Sequence, residues 1–511
     1  MACFTFFMNL LGAVTALLAV VYAYFQWNYQ YWKRKGVVYL EPSFPFGHFE
    51  NPLRRTMSIG DNITQVYNKV KENGWKFCGF FTVQSPALMV VDLELTKNVM
   101  AKDFQHFMDR QVYVNEKDDP LSAHLFSLGG KKWKNLRTKL TPTFTTGKLK
   151  AMFQTLVDCG IVLEKYFEAN INNTDPVDIK DILGRFTTDV IGSCAFGLEC
   201  NSFKDPDSPF RRHGKRVFVF TVFDMLKGIF SLNFPKLAKT LGVCTNSEPV
   251  RNFFYKLAQD TVEYREKNKI ARNDFVQLLL ELKNNNKEIS SNGHPGDGTS
   301  LTMDEIAAQC FIFFSAGFET SSTTMTFTLF ELAAHPDIQD KVREEIESVL
   351  GRYDDKITYD SLSELKYMKQ VIDEVLRKYP PVPFLTRQCV KDYKLPGEDI
   401  IIEEGTAVFI SVKGIHYDEE HYENPEEFDP ERFTEEKKRE RHRFAYLPFG
   451  EGPRICIGER FGIMQTKVGL TSILRKFRVK LNKKTKIPLK MDPSSFIEST
   501  EGSIWLDVEK L

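Results

Sequence analysis

The chain has 511 residues, which is enough for a large buried core and too long for one small domain. Hydrophobic residues make up an ordinary 42% of it, but 43 residues are phenylalanine. So many aromatic rings either fill a large core or line a wide apolar pocket. Lysine plus arginine and aspartate plus glutamate balance at 68 each, which argues against the overall basic charge of a nucleic-acid-binding protein.

The nine cysteines are odd in number, and no two of them form a CxxC pair. This pattern is neither the disulfide framework of a secreted domain nor a zinc ribbon. We therefore expect a reducing compartment, with most cysteines serving as small buried apolar groups.

The N-terminus predicts a membrane anchor over residues 1–32. This stretch has no charged side chain, and the apolar run at 3–25 is long enough to cross a hydrocarbon core about 30 Å thick. A cleaved signal peptide is the alternative, but there the positive charge precedes a shorter apolar run. Here three basic residues follow at 33–35, which predicts that the rest of the chain stays on the cytosolic side. Aromatic residues lie between the apolar run and these basic residues, and we expect them at the membrane interface. They are Trp27, Tyr29, Tyr31 and Trp32.

Residues 33–50 contain Pro42 and Pro45 and are expected to form a stiff, basic linker rather than a helix. From residue 51 to 511 we find no internal repeat and expect one domain. Within it, the polar stretch at 283–300 is typical of a solvent-exposed loop.

Short strands are expected at "FFTVQSPALMVV", at "AVFISV" (407–412) and at "FRVKL". The clearest helix begins with the capping-box spacing of Thr302 and Glu305 and runs to Pro336. A second helix, "YMKQVIDEVLRKY", ends at Pro380. The fold class is therefore mainly α with small sheets. The chain lacks βαβ alternation and a GxGxxG motif, so a nucleotide-binding half is not expected.

The long helix contains "AGFETSSTT", in which Gly317 costs about 1 kcal/mol relative to alanine. The hydroxyls that follow can bond back to the carbonyl four residues earlier and bend the helix. Phe313, Ala316 and Thr320 share a face by their spacing. A packing patch of small residues explains this segment as well as a functional site does.

Cys456 lies in "YLPFGEGPRICIGERFG", just before a helix-like run whose positive end would stabilise a thiolate. The nearby glycines let the backbone approach a flat or bulky group, and Arg454 can pair with an anion on it. An iron macrocycle with carboxylate arms meets these requirements. A buried structural cysteine in a Gly/Pro turn is the alternative.

The same stretch fits the pattern F-x-x-G-x-R-x-C-x-G without a gap and resembles the cytochrome P-450 superfamily of haem-thiolate monooxygenases. Four further motifs, "WKNLR", "AGFET", "EVLR" and "PERF", recur in that family's order. The sequences of the motifs most resemble those of insect microsomal members of the detoxifying clan. The resemblance implies a helix-rich triangular prism, with haem between the long central helix and the cysteine loop.

The resemblance also implies roles for individual residues. Cys456 would be the axial ligand of the haem iron, and Glu319 with Thr320 would guide protons to dioxygen. The residues expected to contact the haem are Trp133, Arg137, Arg387, Phe449 and Arg454. A buried network behind the haem is expected from Glu374, Arg377 and Arg432. By position, the substrate pocket would be lined by Phe126, Phe313, Ala316, Val382, Phe384 and Ile497.

The implied activity is insertion of one oxygen atom of O2 into apolar small molecules such as xenobiotics. The implied cofactor is haem b, and NADPH supplies electrons through cytochrome P-450 reductase, with a cytochrome b-type protein as a further candidate donor. The implied location is the endoplasmic reticulum membrane. A dedicated step in hormone or fatty-acid metabolism stays open as an alternative, while rearrangement without dioxygen and a non-enzymatic haem sensor fit the intact "AGFET" segment less well.

Overall fold

The structure is a computed structural model and describes residues 2–51, 54, 56–170, 175–291 and 300–511. Helices dominate, as predicted. The helices are α1 Ala2–Tyr29, α2 Tyr31–Arg34, α3 Ile59–Glu72, α4 Leu93–Lys97, α5 Gly130–Leu140, α6 Thr146–Asn170, α7 Ile179–Ile191, α8 Pro209–Arg216, α9 Val222–Asn233, α10 Pro235–Thr240, α11 Glu248–Asn268, α12 Phe275–Ser291, α13 Met303–Ala334, α14 Pro336–Gly351, α15 Tyr359–Glu364, α16 Lys366–Lys378, α17 Val412–His416, α18 Glu435–Glu440 and α19 Glu459–Leu474.

The strands form small sheets. They are β1 Phe77–Thr82, β2 Ser85–Val90, β3 Val177–Asp178, β4 Phe384–Gln388, β5 Tyr393–Lys394, β6 Ile401–Ile402, β7 Ala407–Ser411, β8 Phe477–Leu481 and β9 Trp505–Lys510. The largest sheet has the order β1-β2-β7-β4, in which only the β2–β7 pair is parallel. The others are β3-β9-β8 and β5-β6. The three predicted strand regions are thereby confirmed as the β1–β2 hairpin, β7 and β8.

The long helix α13 is the centre of the domain. Thr302 caps it and forms the predicted capping box with Glu305, while Pro336 opens the next helix. Most of its side chains are buried, since it packs against α7, α11, α16 and α19, but burial is incomplete in the middle, between residues 312 and 320. Gly469 of α19 allows the closest approach, because an added Cβ there would lie 2.5 Å from the sulfur of Met325. This crossing places the start of α19 opposite the middle of α13.

The N-terminal helix α1 is long and apolar enough to cross a membrane. Within its apolar stretch, no residue is buried against the rest of the protein. The expected aromatic belt is wrong for two residues. Tyr29 and Trp32 are buried, and their polar atoms donate hydrogen bonds to the carbonyls of Val83 and Phe80. Only glycine at position 79 leaves room for the Trp32 ring. The end of the anchor is therefore part of the domain's core.

The expected solvent loop at 283–300 is also partly wrong. Helix α12 continues to Ser291, so the first half of that stretch is helical. Residues 292–299 lie outside the described part of the chain.

Candidate functional site

An interior cavity of about 290 Å³ lies between the middle of α13 and the loop that carries Cys456. Its wall is mostly apolar. From the predicted site residues it includes Phe126, Trp133, Arg137, Phe313, Ala316, Thr320, Val382, Phe449, Arg454 and Cys456. The cavity thus brings together most side chains that the motifs had singled out.

The Cys456 side chain faces this cavity and is accessible to it, although it lies deep inside the protein. Its backbone N–H donates to the carbonyl of Phe449 at 2.9 Å, and α19 begins three residues later, as predicted. Burial raises the pKa of the Cys456 thiol, while the backbone N–H of Gly458 and the charges of Arg137 and Arg110 lower it. Burial outweighs these groups, so the pKa of the thiol stays raised, and a cation bound at the sulfur would be needed to hold it as a thiolate.

Two glycines shape the loop around the sulfur. Gly452 has φ +74°, and an added Cβ would lie 2.0 Å from the carbonyl oxygen of Met100. Gly458 also lines the cavity, and an added Cβ there would have no neighbour within 4 Å. A side chain at position 458 would project into open space that a flat ligand can fill.

Arginines gather at the same cavity. Arg110 and Arg137 line it, and burial lowers the pKa of both, that of Arg110 to about 10. Arg387 on β4 is 1% exposed and is not part of the lining, but the charges of Arg110 and Arg454 act on it. Burial lowers its pKa well below the usual range, and its Nε has no hydrogen-bond partner among the described residues. An anion bound in the cavity would stabilise this cluster of positive charges.

Arg454 lines the cavity, as expected for a residue that contacts the haem, and also has partners in the protein. Its guanidinium donates to the carbonyls of Met108 and Leu128 and stacks over the Trp133 ring at 4.1 Å. It also approaches the carboxylate of Asp109 at 3.7 Å. Arg454 therefore ties the cysteine loop to the chain before α5, with few donors left for a ligand.

The residues present fit a haem. A haem needs an axial ligand, a flat space and partners for two carboxylates. The cavity offers the Cys456 sulfur, the open glycine wall at position 458 and the cations of Arg110 and Arg137, and Arg387 behind the wall has an Nε without a partner among the described residues. Sequence reasoning missed Arg110, because it belongs to no motif; only the fold brings it beside Phe126, whose ring lies 4.1 Å from its guanidinium.

Across the cavity, the Thr320 hydroxyl donates to the carbonyl of Ala316 at 2.6 Å. This bond to the carbonyl four residues earlier is the one expected for hydroxyls in this segment. Gly317 is explained by packing, since an added Cβ would lie 2.4 Å from Cδ1 of Ile191 on α7. Packing therefore explains Gly317, while the role in proton delivery expected for Glu319 and Thr320 stays a prediction.

Glu319 does not face the Cys456 cavity. It lines a second, more polar cavity of about 310 Å³ on another side of α13, together with Lys180, Arg211 and Lys215. Burial raises the pKa of the Glu319 carboxyl, and the charges of those three residues lower it in part. Burial therefore disfavours ionisation of a carboxyl that faces a polar cavity.

The predicted substrate pocket needs a correction at two positions. Phe384 packs into the sheet core against Phe409, with ring centroids 6.0 Å apart, and Ile497 is buried elsewhere; neither belongs to the cavity wall. Leu385 lines the cavity instead, because successive strand residues point to opposite faces. The sequence also missed two rings of the wall, Phe144 and Phe275, which pack on Phe313 with centroids 5.3 and 3.7 Å away.

The three residues of the expected network do meet. Arg377 donates to both carboxylate oxygens of Glu374 at 2.7 and 2.8 Å, and Nε of Arg432 lies 3.5 Å from the same carboxylate. Glu374 and Arg377 have no exposed surface. Arg377 and Arg432 also donate to backbone carbonyls, so the pair joins α16 to the segment before α18.

Comparison with known proteins agrees with this geometry. The family model described as Cytochrome P450 matches residues 45–505. Cytochrome P450 6a2 of Drosophila melanogaster is 44% identical over 506 residues, which cover 98% of this chain and 99% of the relative. Cytochrome P450 6A1 of Musca domestica is also 44% identical, over 98% of each chain. The predicted likeness to insect members is confirmed, and the chain belongs to the cytochrome P450 family.

Proposed function

We propose that this protein is an anchored monooxygenase of the endoplasmic reticulum membrane that oxidises apolar xenobiotics such as plant toxins or insecticides. Its electrons come from NADPH through cytochrome P-450 reductase. The single observation that carries the substrate class is the cavity wall opposite Cys456, which is built from aromatic and aliphatic side chains.

The haem supplies the activation of dioxygen and the transfer of one oxygen atom. A bound haem would be held at its iron by the Cys456 sulfur and at its carboxylate arms by Arg137 and Arg387, with Arg110 as a third cation nearby. The two carboxylates would balance positive charge that is costly to bury alone.

Thr320 and Glu319 handle protons. The Thr320 hydroxyl faces the Cys456 cavity and can both donate and accept. Glu319 accepts protons from water in the second cavity, which Lys180 also lines. Protons then pass from the side of Glu319 to the side of Thr320 through ordered water.

The pocket favours apolar substrates over fatty acids. The cavity wall shares Thr320 with the apolar side chains of Phe313, Ala316, Val382 and Leu385, and its hydroxyls at Ser321 and Thr324 carry no charge to pair with a carboxylate. The arginines of the cavity are taken up by the cofactor. An apolar, aromatic-lined space therefore supports xenobiotic oxidation more directly than a dedicated step on an acidic lipid.

Membrane attachment is supported by a second apolar surface near the anchor. Helices α9 and α10 expose Phe223, Leu226 and Leu237. The turn between β1 and β2 links this surface to α1, since Gln84 accepts from Asn28 of α1 and Ser85 donates to Asn233 of α9. We propose that both contact the cytosolic leaflet, with the basic residues at 33–35 on the same side.

Reductase docking is assigned to basic side chains around the cysteine loop. Lys131, Lys132 and Lys134 project from the outer side of α5, whose inner side carries Trp133 and Arg137. Exposed basic residues of α18 and the following segment precede the cysteine loop: Lys437, Arg439 and Arg443. Such a surface can steer an acidic partner.

The function is tested with full-length protein in reductase-containing membranes, given NADPH, labelled ¹⁸O₂ and apolar 7-alkoxycoumarins as probes. We expect NADPH-dependent 7-hydroxycoumarin, which keeps the oxygen of the substrate, and one labelled oxygen atom for each turnover in the aldehyde formed from the alkyl group, which is reduced to the alcohol at once to prevent exchange with water. Lauric acid serves as the comparison substrate. Conversion of lauric acid in preference to every coumarin would contradict the proposed substrate class.

A further inference from the structure

One stretch of the cavity wall is held in place from outside the cavity. This wall segment, residues 115–128, lies before α5 and contributes Leu125 and Phe126 to the lining. Apart from the 3₁₀ turn Pro120–Ser122 it has no regular structure; backbone hydrogen bonds shape its local turns, and contacts of its side chains attach it to the rest of the domain.

Asp119 is the strongest of these contacts. Its side chain has no exposed surface, and its carboxylate accepts hydrogen bonds from four donor groups of two residues. The backbone N–H groups of Thr245 and Asn246 lie at 3.0 and 2.9 Å, the Thr245 hydroxyl at 3.0 Å, and the Asn246 amide at 3.1 Å. Thr245 and Asn246 form the turn between α10 and α11. A buried carboxylate with all of its donors in one turn fixes the distance between that turn and the wall segment.

Neighbouring contacts reinforce the same junction. The hydroxyl of Tyr113 donates to the carbonyl of Val243 at 3.1 Å, and the Cys244 thiol contacts the carbonyl of Asp118 at 3.4 Å. They are single, neutral contacts, whereas the Asp119 contacts are charge-assisted and therefore stronger.

The other end of the wall segment is attached to α13. The backbone N–H of Leu125 donates to Oε1 of Gln309 at 3.0 Å, and Gln309 is itself fully buried. The next residue, Phe126, uses its carbonyl to accept from Arg110 at 3.0 Å. The residues between Asp119 and Leu125 are thus held at both ends, and Phe126 follows directly after the second attachment.

We propose that Asp119 is a positioning residue for substrate selectivity: it holds the wall segment against the turn between α10 and α11 and thereby fixes Leu125 and Phe126 over the cavity. Asp119 touches neither the cavity nor Cys456. Its effect is to limit the size and orientation of the substrate. The inference rests on the proposed oxidation of apolar small molecules.

The test uses holoenzyme with Asp119→Asn, and the exchanged pair Asp119→Asn/Asn246→Asp. The single variant places an amide against the Asn246 amide, whereas the exchanged pair restores an amide–carboxylate contact. Thr245→Val, which removes only the hydroxyl donor, is a milder variant for the case in which Asp119→Asn loses haem. Glu116→Gln is the matched control, because its carboxylate lies in the exposed part of the same segment and its ion pair with the exposed Lys132 of α5 is worth little.

Hydrogen–deuterium exchange of residues 115–128 measures the attachment directly, without a substrate. We expect exchange about tenfold faster or more in Asp119→Asn, wild-type exchange in Glu116→Gln and recovery in the exchanged pair. Unchanged protection in Asp119→Asn, with the carbon monoxide spectrum of wild type, would overturn the inference.

Product ratios from a mixture of methoxy-, ethoxy- and pentoxycoumarin measure selectivity independently of the rate of reduction. The ratio of long-chain to short-chain product should rise at least about threefold in Asp119→Asn and return in the exchanged pair. A wild-type ratio in a variant whose wall segment exchanges faster would also overturn the inference. Wild-type protein that oxidises none of the probes would contradict the proposed function, while the exchange measurement would still decide whether Asp119 holds the segment.

Discussion

Glu319 and Thr320 are consecutive residues of α13, yet their side chains face two different cavities. Successive residues of an α-helix point about 100° apart, so one helix can serve an apolar cavity and a polar one. The acid and the alcohol of the "AGFET" motif are thus separated by the helix that carries them.

The first prediction concerns the hydroxyl of Thr320. In Thr320→Ala, haem content and the carbon monoxide spectrum should stay as in wild type, because Thr320 does not hold the cofactor. Product formed for each NADPH oxidised should fall at least about tenfold, with peroxide released instead. Thr320→Ser keeps the hydroxyl and should restore most of the product yield. An unchanged yield in Thr320→Ala would show that protons reach the site without this residue.

The second prediction concerns the buried carboxyl of Glu319. Burial raises its pKa in the folded protein, so the folded state binds this proton more tightly than the unfolded state does. The contribution of Glu319 to the free energy of unfolding is therefore most favourable at low pH. It declines as the pH rises above the ordinary glutamate value of about 4.3. Glu319→Gln, which stays neutral, should raise Tm relative to wild type by an amount that grows as the pH rises from the ordinary glutamate value of about 4.3 toward neutrality.

Thermal unfolding of the holoenzyme across that range measures the difference in Tm. Glu347→Gln on α14 is the control. Glu347 is exposed, so the difference in Tm between this variant and wild type should not vary with pH. A Glu319→Gln effect that is constant with pH, or that shrinks as the pH rises, would contradict the assignment.

The third prediction concerns Arg387. Its buried guanidinium lacks a partner for Nε among the described residues, and a haem carboxylate would supply one. Arg387→Met should therefore lose haem to apomyoglobin about tenfold faster or more than wild type. The exposed Arg460 of α19 provides the control, Arg460→Met, which should lose haem at the wild-type rate. Equal rates for the two variants would remove Arg387 from the cofactor site.

The fourth prediction concerns the Glu374–Arg377 pair, which is fully buried. Glu374→Gln should lower the free energy of unfolding by about 3–5 kcal/mol, because two buried arginines then lose their carboxylate. Urea unfolding followed by tryptophan fluorescence gives this value. The exposed pair of Glu94 and Lys97 has the same spacing along a helix, so Glu94→Gln is the comparison and should have little effect. Similar losses in both variants would argue against a special role for the buried network.

Much of the fold could be predicted because its signals are local. The capping box of Thr302 and Glu305 and the proline at 336 define α13 without knowledge of its neighbours. The loop around Cys456 was equally accessible, since its glycines, arginine and cysteine are contiguous in the chain. Helix-ending prolines and alternating strands likewise report on a few adjacent residues.

The remaining features depend on tertiary packing. The burial of Trp32 requires the glycine at 79, and nothing near Trp32 in the sequence announces that partner. Arg110 reaches the cavity only because the chain before α5 folds over the cysteine loop. Phe384 was predicted to line the pocket, but the next residue, Leu385, does so. Successive strand residues point to opposite faces, so an error of one residue selects the wrong face. Side-chain direction, rather than the existence of elements, was the part that local patterns left undecided.

The central claim is that the sulfur of Cys456 binds the haem iron, and the carbon monoxide spectrum of the reduced protein tests it most directly. Cys194 is the matched control, because it is the other thiol in the described cavity wall. We predict that Cys194→Ala keeps the red-shifted Soret band of thiolate ligation and that Cys456→Ala loses it. A Cys456→Ala variant that retains haem and the red-shifted band would contradict the account, because another residue would then be the ligand.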